Sequence, residues 1–104
     1  MKQLEKTIIW SGDGLVNNPV TLKQIDRRGS VALYERIRQS GKAEGYEVIK
    51  IRVRKAALMP SGKWSEDHEV YPSAKDFGPY GKFITTRGRA EEVFNQWVKE
   101  QDTP

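Results

Sequence analysis

The sequence predicts an α+β fold: an antiparallel meander sheet of four to five strands with one C-terminal amphipathic helix packed on one face. Two patterns and one constraint lead there. From Val31 to Lys55, two segments alternate with the period of two that a strand requires, on either side of the polar link Ser40-Gly41-Lys42-Ala43-Glu44-Gly45. Near the end, Ala90, Val93, Phe94, Trp97 and Val98 fall at i, i+3, i+4, i+7 and i+8, the stripe of a helix that buries one face. The constraint is size: 104 residues, 37% hydrophobic and 31% charged, suffice for a single domain over 1–104 with one modest core.

Lys6 to Trp10 reads as a short strand ending in the turn Ser11-Gly12-Asp13-Gly14, which Asn17-Asn18-Pro19 extends. Val20 to Arg28 is a strand of imperfect alternation, with Val20, Leu22 and Ile25 as its apolar positions, closed by a turn through Arg27-Arg28-Gly29-Ser30. The alternating pair at 31–55 follows, and its short link favours antiparallel pairing. Pro60-Ser61-Gly62 is another turn, ahead of Lys63-Trp64. Residues 65–81, punctuated by Pro72, Gly78, Pro79 and Gly81, read as irregular, with Glu69 to Tyr71 as a short edge strand. The aromatics Trp64, Tyr71, Phe77 and Tyr80 are expected to pack this stretch onto the body. Lys82 to Thr85 adds one brief strand. The helix is expected over 88–100, capped by Gly88 or Thr86, with Glu91 and Glu92 in its first turn and Lys99 in its last, as the helix dipole prefers. Gln101 to Pro104 reads as a frayed tail.

The net charge of +4 is unevenly placed: residues 23–55 hold ten Lys or Arg against Asp26, Glu35, Glu44 and Glu47, a net of +6 that leaves −2 for the rest. In the first alternating segment Ala32, Tyr34, Arg36 and Arg38 share a parity; in the second, Tyr46, Val48, Lys50, Arg52 and Arg54 do. If these sides coincide, five cations and two tyrosines share a sheet surface, and Val31, Leu33 and Ile37 with Ile49, Ile51 and Val53 form the core side. Guanidinium groups pair with phosphates and aromatic rings stack on unpaired bases. Arginine and tyrosine also dominate contacts to protein partners. Tyr34, Arg36, Arg38, Tyr46, Lys50, Arg52 and Arg54 are therefore the candidate binding residues, for DNA, RNA or an acidic protein surface. Two plainer readings produce the same pattern: a solvated face charged to block edge pairing, or a face covered by the helix with basic stems lying over it.

Little in the chain suggests chemistry. The one histidine, His68, lies in Glu66-Asp67-His68-Glu69, where neighbours on an extended chain point in alternate directions rather than converge on a metal; the cluster reads as an exposed acidic loop. Neither Glu91 with Glu92 nor Glu66 with Asp67 has a nucleophile or oxyanion motif beside it. Gly12-Asp13-Gly14 and Ser61-Gly62-Lys63 lack the phosphate-loop pattern and read as turns. With no cysteine there is no disulfide and no thiolate ligand. No apolar run approaches the roughly 18 residues of a membrane span, and the N-terminus lacks a secretory core. The expectation is a cytoplasmic, non-enzymatic protein with no cofactor, no metal and no membrane partner.

The succession Val31-Ala32-Leu33-Tyr34-Glu35, Gly45-Tyr46-Glu47-Val48-Ile49-Lys50-Ile51-Arg52, Tyr71-Pro72-Ser73, Asp76-Phe77-Gly78 and Ala90-Glu91-Glu92-Val93-Phe94 resembles small uncharacterised proteins of bacteriophages and mobile elements. That resemblance implies an inhibitor or modulator of a host protein or protein–nucleic-acid complex, of the anti-CRISPR or anti-restriction type. A second resemblance is to WGR domains, in which an antiparallel sheet precedes a helix with an Ala-to-Phe stripe and some members bind DNA ends. Phe77-Gly78-Pro79-Tyr80-Gly81-Lys82 stands where that family carries Trp-Gly-Arg, without the tryptophan and the arginine.

Overall fold

The computed structural model describes residues 2–10 and 20–102. The turn expected at Ser11-Gly12-Asp13-Gly14 and the loop at Asn17-Asn18-Pro19 lie outside the described residues, as do Thr103 and Pro104. Four strands follow one another as antiparallel neighbours: β1 (Thr7–Trp10), β2 (Val20–Arg28), β3 (Val31–Arg38) and β4 (Ala43–Lys50). The chain then leaves this sheet through four short strands, β5 (Arg52–Arg54), β6 (Ala57–Leu58), β7 (Trp64–Ser65) and β8 (His68–Val70), before β9 (Gly81–Ile84) returns to pair with β4 and α1 (Arg87–Gln101) closes the fold. The main sheet has five strands in the order β1-β2-β3-β4-β9, and α1 packs across β3, β4 and β9. This is the α+β architecture the sequence predicts. No helix of the described residues is long and apolar enough to cross a membrane.

Both faces of the sheet carry core. On one, Val31, Leu33 and Val48 meet Ala90, Val93, Phe94 and Trp97 of α1, all nearly inaccessible, with Ile25, Tyr46, Ile84 and Val98 around them. On the other, Leu22, Ala32, Tyr34, Ile49 and Ile51 are buried beneath Leu4, Ile8, Tyr71 and Phe77. A one-residue slip in register would exchange every side chain between these faces, so burial on both sides fixes the pairing strongly. The imperfect alternation of β2 has a physical cause. Gln24 pairs with Tyr34 and Asp26 with Leu33, so Ile25 is the extra residue of a bulge that turns it toward α1.

The strand expected over 45–55 keeps its alternation through Ile51 but leaves the main sheet there. The Ile51 N–H donates to Ser30 O at 2.6 Å while its side chain joins the core opposite the helix, and the chain beyond it crosses into a separate ribbon. There β5 pairs with β8 and β6 with β7, forming a two-stranded arm over 52–70, where the sequence suggested the end of a sheet strand, a turn at 60–62 and irregular chain from 65. Lys2 adds a parallel bridge to His68 at the arm's root. At the tip, Met59 N donates to Lys63 O at 2.7 Å and Gly62 N to Met59 O at 2.9 Å, with Gly62 at φ 85°, a conformation glycine adopts without the penalty of a Cβ.

Helix α1 begins at Arg87 with Thr86 as N-cap residue, but the threonine side chain makes no capping bond, and Glu91 and Glu92 lie beyond the first turn. They instead pair with Arg87 at 3.0 Å and Arg89 at 3.2 Å along the exposed face. Gln101 is not frayed: its side chain accepts from Ser30 N and Oγ at 3.0 and 2.9 Å and donates to Arg28 O at 2.7 Å, tying the helix end to the β2–β3 turn.

Candidate functional site

The seven residues expected to share one surface do not share it. Register sets Leu33 opposite Val48 and Tyr34 opposite Glu47, so Tyr46, Val48 and Lys50 face α1 while Tyr34 and Arg36 point to the other side. The aliphatic sets divide in the same way, Val31 and Leu33 going with the helix and Ile49 and Ile51 opposite it. The cause is the bulge at the end of the β3–β4 hairpin, where Arg36 pairs with Gly45 and Ile37 with Ala43, leaving Glu44 unmatched.

Each of the seven has a distinct setting. Tyr34 is fully buried; its hydroxyl donates to Glu5 O at 2.7 Å and accepts from Gln24 Nε2 at 3.1 Å, and burial raises its pKa. Arg36 donates to Glu44 at 3.0 Å and to Glu47 at 2.9 Å and lies 5.7 Å from the Phe83 ring centre. Arg38 is more exposed, 3.6 Å from Glu44. Tyr46 packs at the edge of the helix-side core, and the Lys50 ammonium sits 4.8 Å from the Trp97 ring centre, joined by Lys82 at 5.7 Å. On this side the helix does cover the sheet, with the lysine stem over it. Arg52 and Arg54 belong to the arm. Arg52 lies 4.5 Å over the Tyr80 ring and 3.8 Å from Asp76, whose carboxyl pKa is lowered chiefly by the Ser73 hydroxyl.

Beneath the sheet's second face lies a polar network that the alternating pattern concealed. Glu47, 1% exposed, accepts from Tyr71 Oη at 2.5 Å and from Arg36 at 2.9 Å, while the Tyr34 and Tyr71 rings meet edge to face with centroids 5.3 Å apart. Burial, and then the adjacent Glu47 carboxylate, push the Tyr71 hydroxyl well above its ordinary range. Gly45 leaves room for the Phe83 ring, which would stand 2.6 Å from a Cβ there. A signal was available in the sequence: Glu47 shares its parity with Ile49 and Ile51, an acid on an apolar side.

The Glu66-Asp67-His68-Glu69 cluster disperses rather than forming an acidic loop. Asp67 accepts from Ala56 N at 2.6 Å, and His68 Nδ1 lies 2.9 Å from Glu66 O. Glu69 takes two bonds from the Arg27 guanidinium at 2.7 and 2.6 Å and one from Leu4 N at 2.8 Å. These donors hold the Glu69 pKa at about 2, the guanidinium contributing most. This clamp fastens the root of the arm to β2. Among the described residues, no three His, Asp or Glu side chains are placed to hold a metal ion.

Outward from that clamp the arm is bare. Every residue from Arg52 to Trp64 is exposed. Tyr71 and Phe77 pack onto the body as the sequence predicts, but Trp64 is 73% exposed, because a two-stranded ribbon has no second layer to receive it. Leu58 is Trp64's cross-strand partner, so both project from the same face, with Met59 at the turn. At the arm's base a cleft of about 640 Å³ is lined by Arg52, Arg54, Lys75, Ser73 and Asp76 among others. The radius of gyration, 14.8 Å, exceeds the roughly 13 Å of a compact domain of about 100 residues, consistent with a projecting element. Compared with family models, with curated proteins and with solved structures, the chain matches none of them.

Proposed function

We propose that this chain is a non-enzymatic binding protein that docks on its partner through the β5–β8 arm, as a small phage-type inhibitor or modulator of a host protein or protein–nucleic-acid complex. The observation that carries this reading is the uninterrupted exposure of Arg52 to Trp64, which displays Leu58, Met59 and Trp64 to solvent on a ribbon anchored at its root. Clustered exposed apolar side chains rimmed by polar ones mark interaction sites, and tryptophan and arginine are the residues most often found to dominate them. The non-enzymatic part rests on the acids: Glu47 and Glu69 serve buried structural contacts, and Glu91 and Glu92 pair along an exposed helix face.

The test is comparative capture. Immobilised wild-type protein and a Leu58→Ser/Trp64→Ser variant are exposed to the same host lysate, with equal thermal melts as the control for folding. Stoichiometric capture by the wild type that the variant loses is the expected result. Equal capture by both proteins moves the contact off the arm, and stoichiometric capture of neither protein nor nucleic acid by the wild type removes the binding reading.

A further inference from the structure

We propose that the arm's partner is duplex nucleic acid, with residues 52–65 entering a groove of the double helix. This rests on the docking role of the arm argued above and names what it docks on. The first support is charge. The segment 52–65 carries Arg52, Arg54, Lys55 and Lys63 and no acidic residue, although acids make up 14 of the 104 residues. Arg54 and Lys63 have no acidic partner among the described residues, while Lys55 and Arg52 each stand 3.8 Å from a carboxylate, Asp67 and Asp76, long enough to exchange for a phosphate. Arg36 of β3 contrasts with Arg54 and Lys63, since it is bonded to two glutamates. The fold has thus committed Arg27 and Arg36 to bonds within the body and left Arg54, Lys55 and Lys63 of the arm in water, as it also leaves Lys23, Arg28 and Lys42.

The second support is shape. A two-stranded ribbon fits the roughly 12 Å major groove of B-form DNA. From Arg52 to Pro60 the ribbon reaches on the order of 20–30 Å at about 3.3 Å per residue, enough to cross a groove about 8.5 Å deep. The third is the tip. Met59 and Pro60 at the turn, with the Leu58 and Trp64 pair behind them, are apolar groups able to contact thymine methyls on the major-groove floor, while cations along the ribbon meet phosphates on either side. A protein partner would need a matching acidic surface around an apolar pocket; a duplex supplies the negative rim wherever the arm lands.

The experiment titrates a fluorescein-labelled duplex DNA of about 20 base pairs with the full chain, reading anisotropy across about 50 to 200 mM salt. Single-stranded DNA of the same sequence and duplex RNA are titrated alongside. Four phosphate contacts give a slope of log affinity on log salt near −3.5, or about a 100-fold loss over that range. Arg54→Ala/Lys63→Ala should make the slope shallower by about two, and Trp64→Ala should weaken binding about 10-fold while leaving the slope unchanged. All three positions are exposed, so unchanged thermal melts certify folding. Absence of salt-sensitive duplex binding, or tighter binding to the single strand, overturns the duplex assignment. If that happens while the Leu58→Ser/Trp64→Ser variant still loses a captured protein, the arm remains a docking element with a different partner. Duplex binding that ignores all of these substitutions overturns both readings together.

Discussion

Trp97 and Trp64 are the same residue in opposite settings, 6% and 73% exposed. Trp97 sits in a helix stripe that two sheet strands were built to receive, with Val31, Leu33 and Val48 beneath it and the Lys50 and Lys82 ammonium groups over its ring. Trp64 sits in a two-residue strand paired with β6. The body therefore uses most of its large apolar side chains to exclude water, Ile9 and Phe83 apart, while the arm displays its own. What separates the two is a second layer, which a sheet of five strands supports and a two-stranded ribbon does not. Burial and display are thus divided between different parts of one small chain, and substitutions should separate them.

The largest effect belongs to the body. Trp97→Ala should cost on the order of 3–5 kcal/mol in urea unfolding, a substantial part of the 5–15 kcal/mol typical of a domain. Next comes the buried network. Tyr71→Phe keeps the ring packed but strips one donor from Glu47, and should cost about 1–3 kcal/mol. Because the folded state holds the Tyr71 proton more tightly than the unfolded chain does, the stability due to this group is intact below the ordinary tyrosine pKa and falls as pH rises above about 10. Unfolding curves collected on either side of that pH should converge for wild type and Tyr71→Phe. Curves that keep a constant separation would show that the hydroxyl is not buried against Glu47.

The sheet and helix were legible because local period and tertiary packing agree there: the Ala90 to Trp97 stripe predicts its own burial, and β3 and β4 at the centre of the main sheet show their alternation. The candidate face was not legible, because parity within a strand says which residues share a side but not which sides of two strands coincide. That depends on the bulge at Glu44, a single unmatched residue in a link whose length alone leaves the register open. The arm was hidden for a different reason. Its strands are two and three residues long, too short for any period, and Trp64 offers the same letter whether it is packed or displayed. Arg52 and Arg54, which parity places beside Lys50 on the sheet, lie instead in the arm.

Where the two regions join, the Arg27–Glu69 clamp sharpens the comparison, since it belongs to the body by burial and to the arm by sequence. The Glu69 pKa of about 2 lies below the ordinary carboxylate value, so its contribution is complete above about pH 4.5 and is lost as pH falls from there toward 2. After allowance for solvent screening, that loss should be about 1–2 kcal/mol. Glu69→Gln should flatten this part of the stability profile and lower stability at neutral pH by a similar amount. An acid limb equally steep in wild type and variant would place the titrating group elsewhere.

The smallest expected effect is the sharpest test of the division. Trp64→Ala removes the largest side chain of the arm, yet it forfeits only a solvent-facing cross-strand pair with Leu58, worth about 0.2–1 kcal/mol to the ribbon itself. Exposed substitutions usually fall within about 0.5 kcal/mol, so the global unfolding midpoint should scarcely move and the denaturant slope should not change. Set beside Trp97→Ala, this gives one residue type spanning nearly the whole range of mutational effects. A loss of several kcal/mol at Trp64 would mean that the arm folds back on the body in solution and that its apolar tip is already occupied. A midpoint that stays in place leaves the indole with no role in holding the fold.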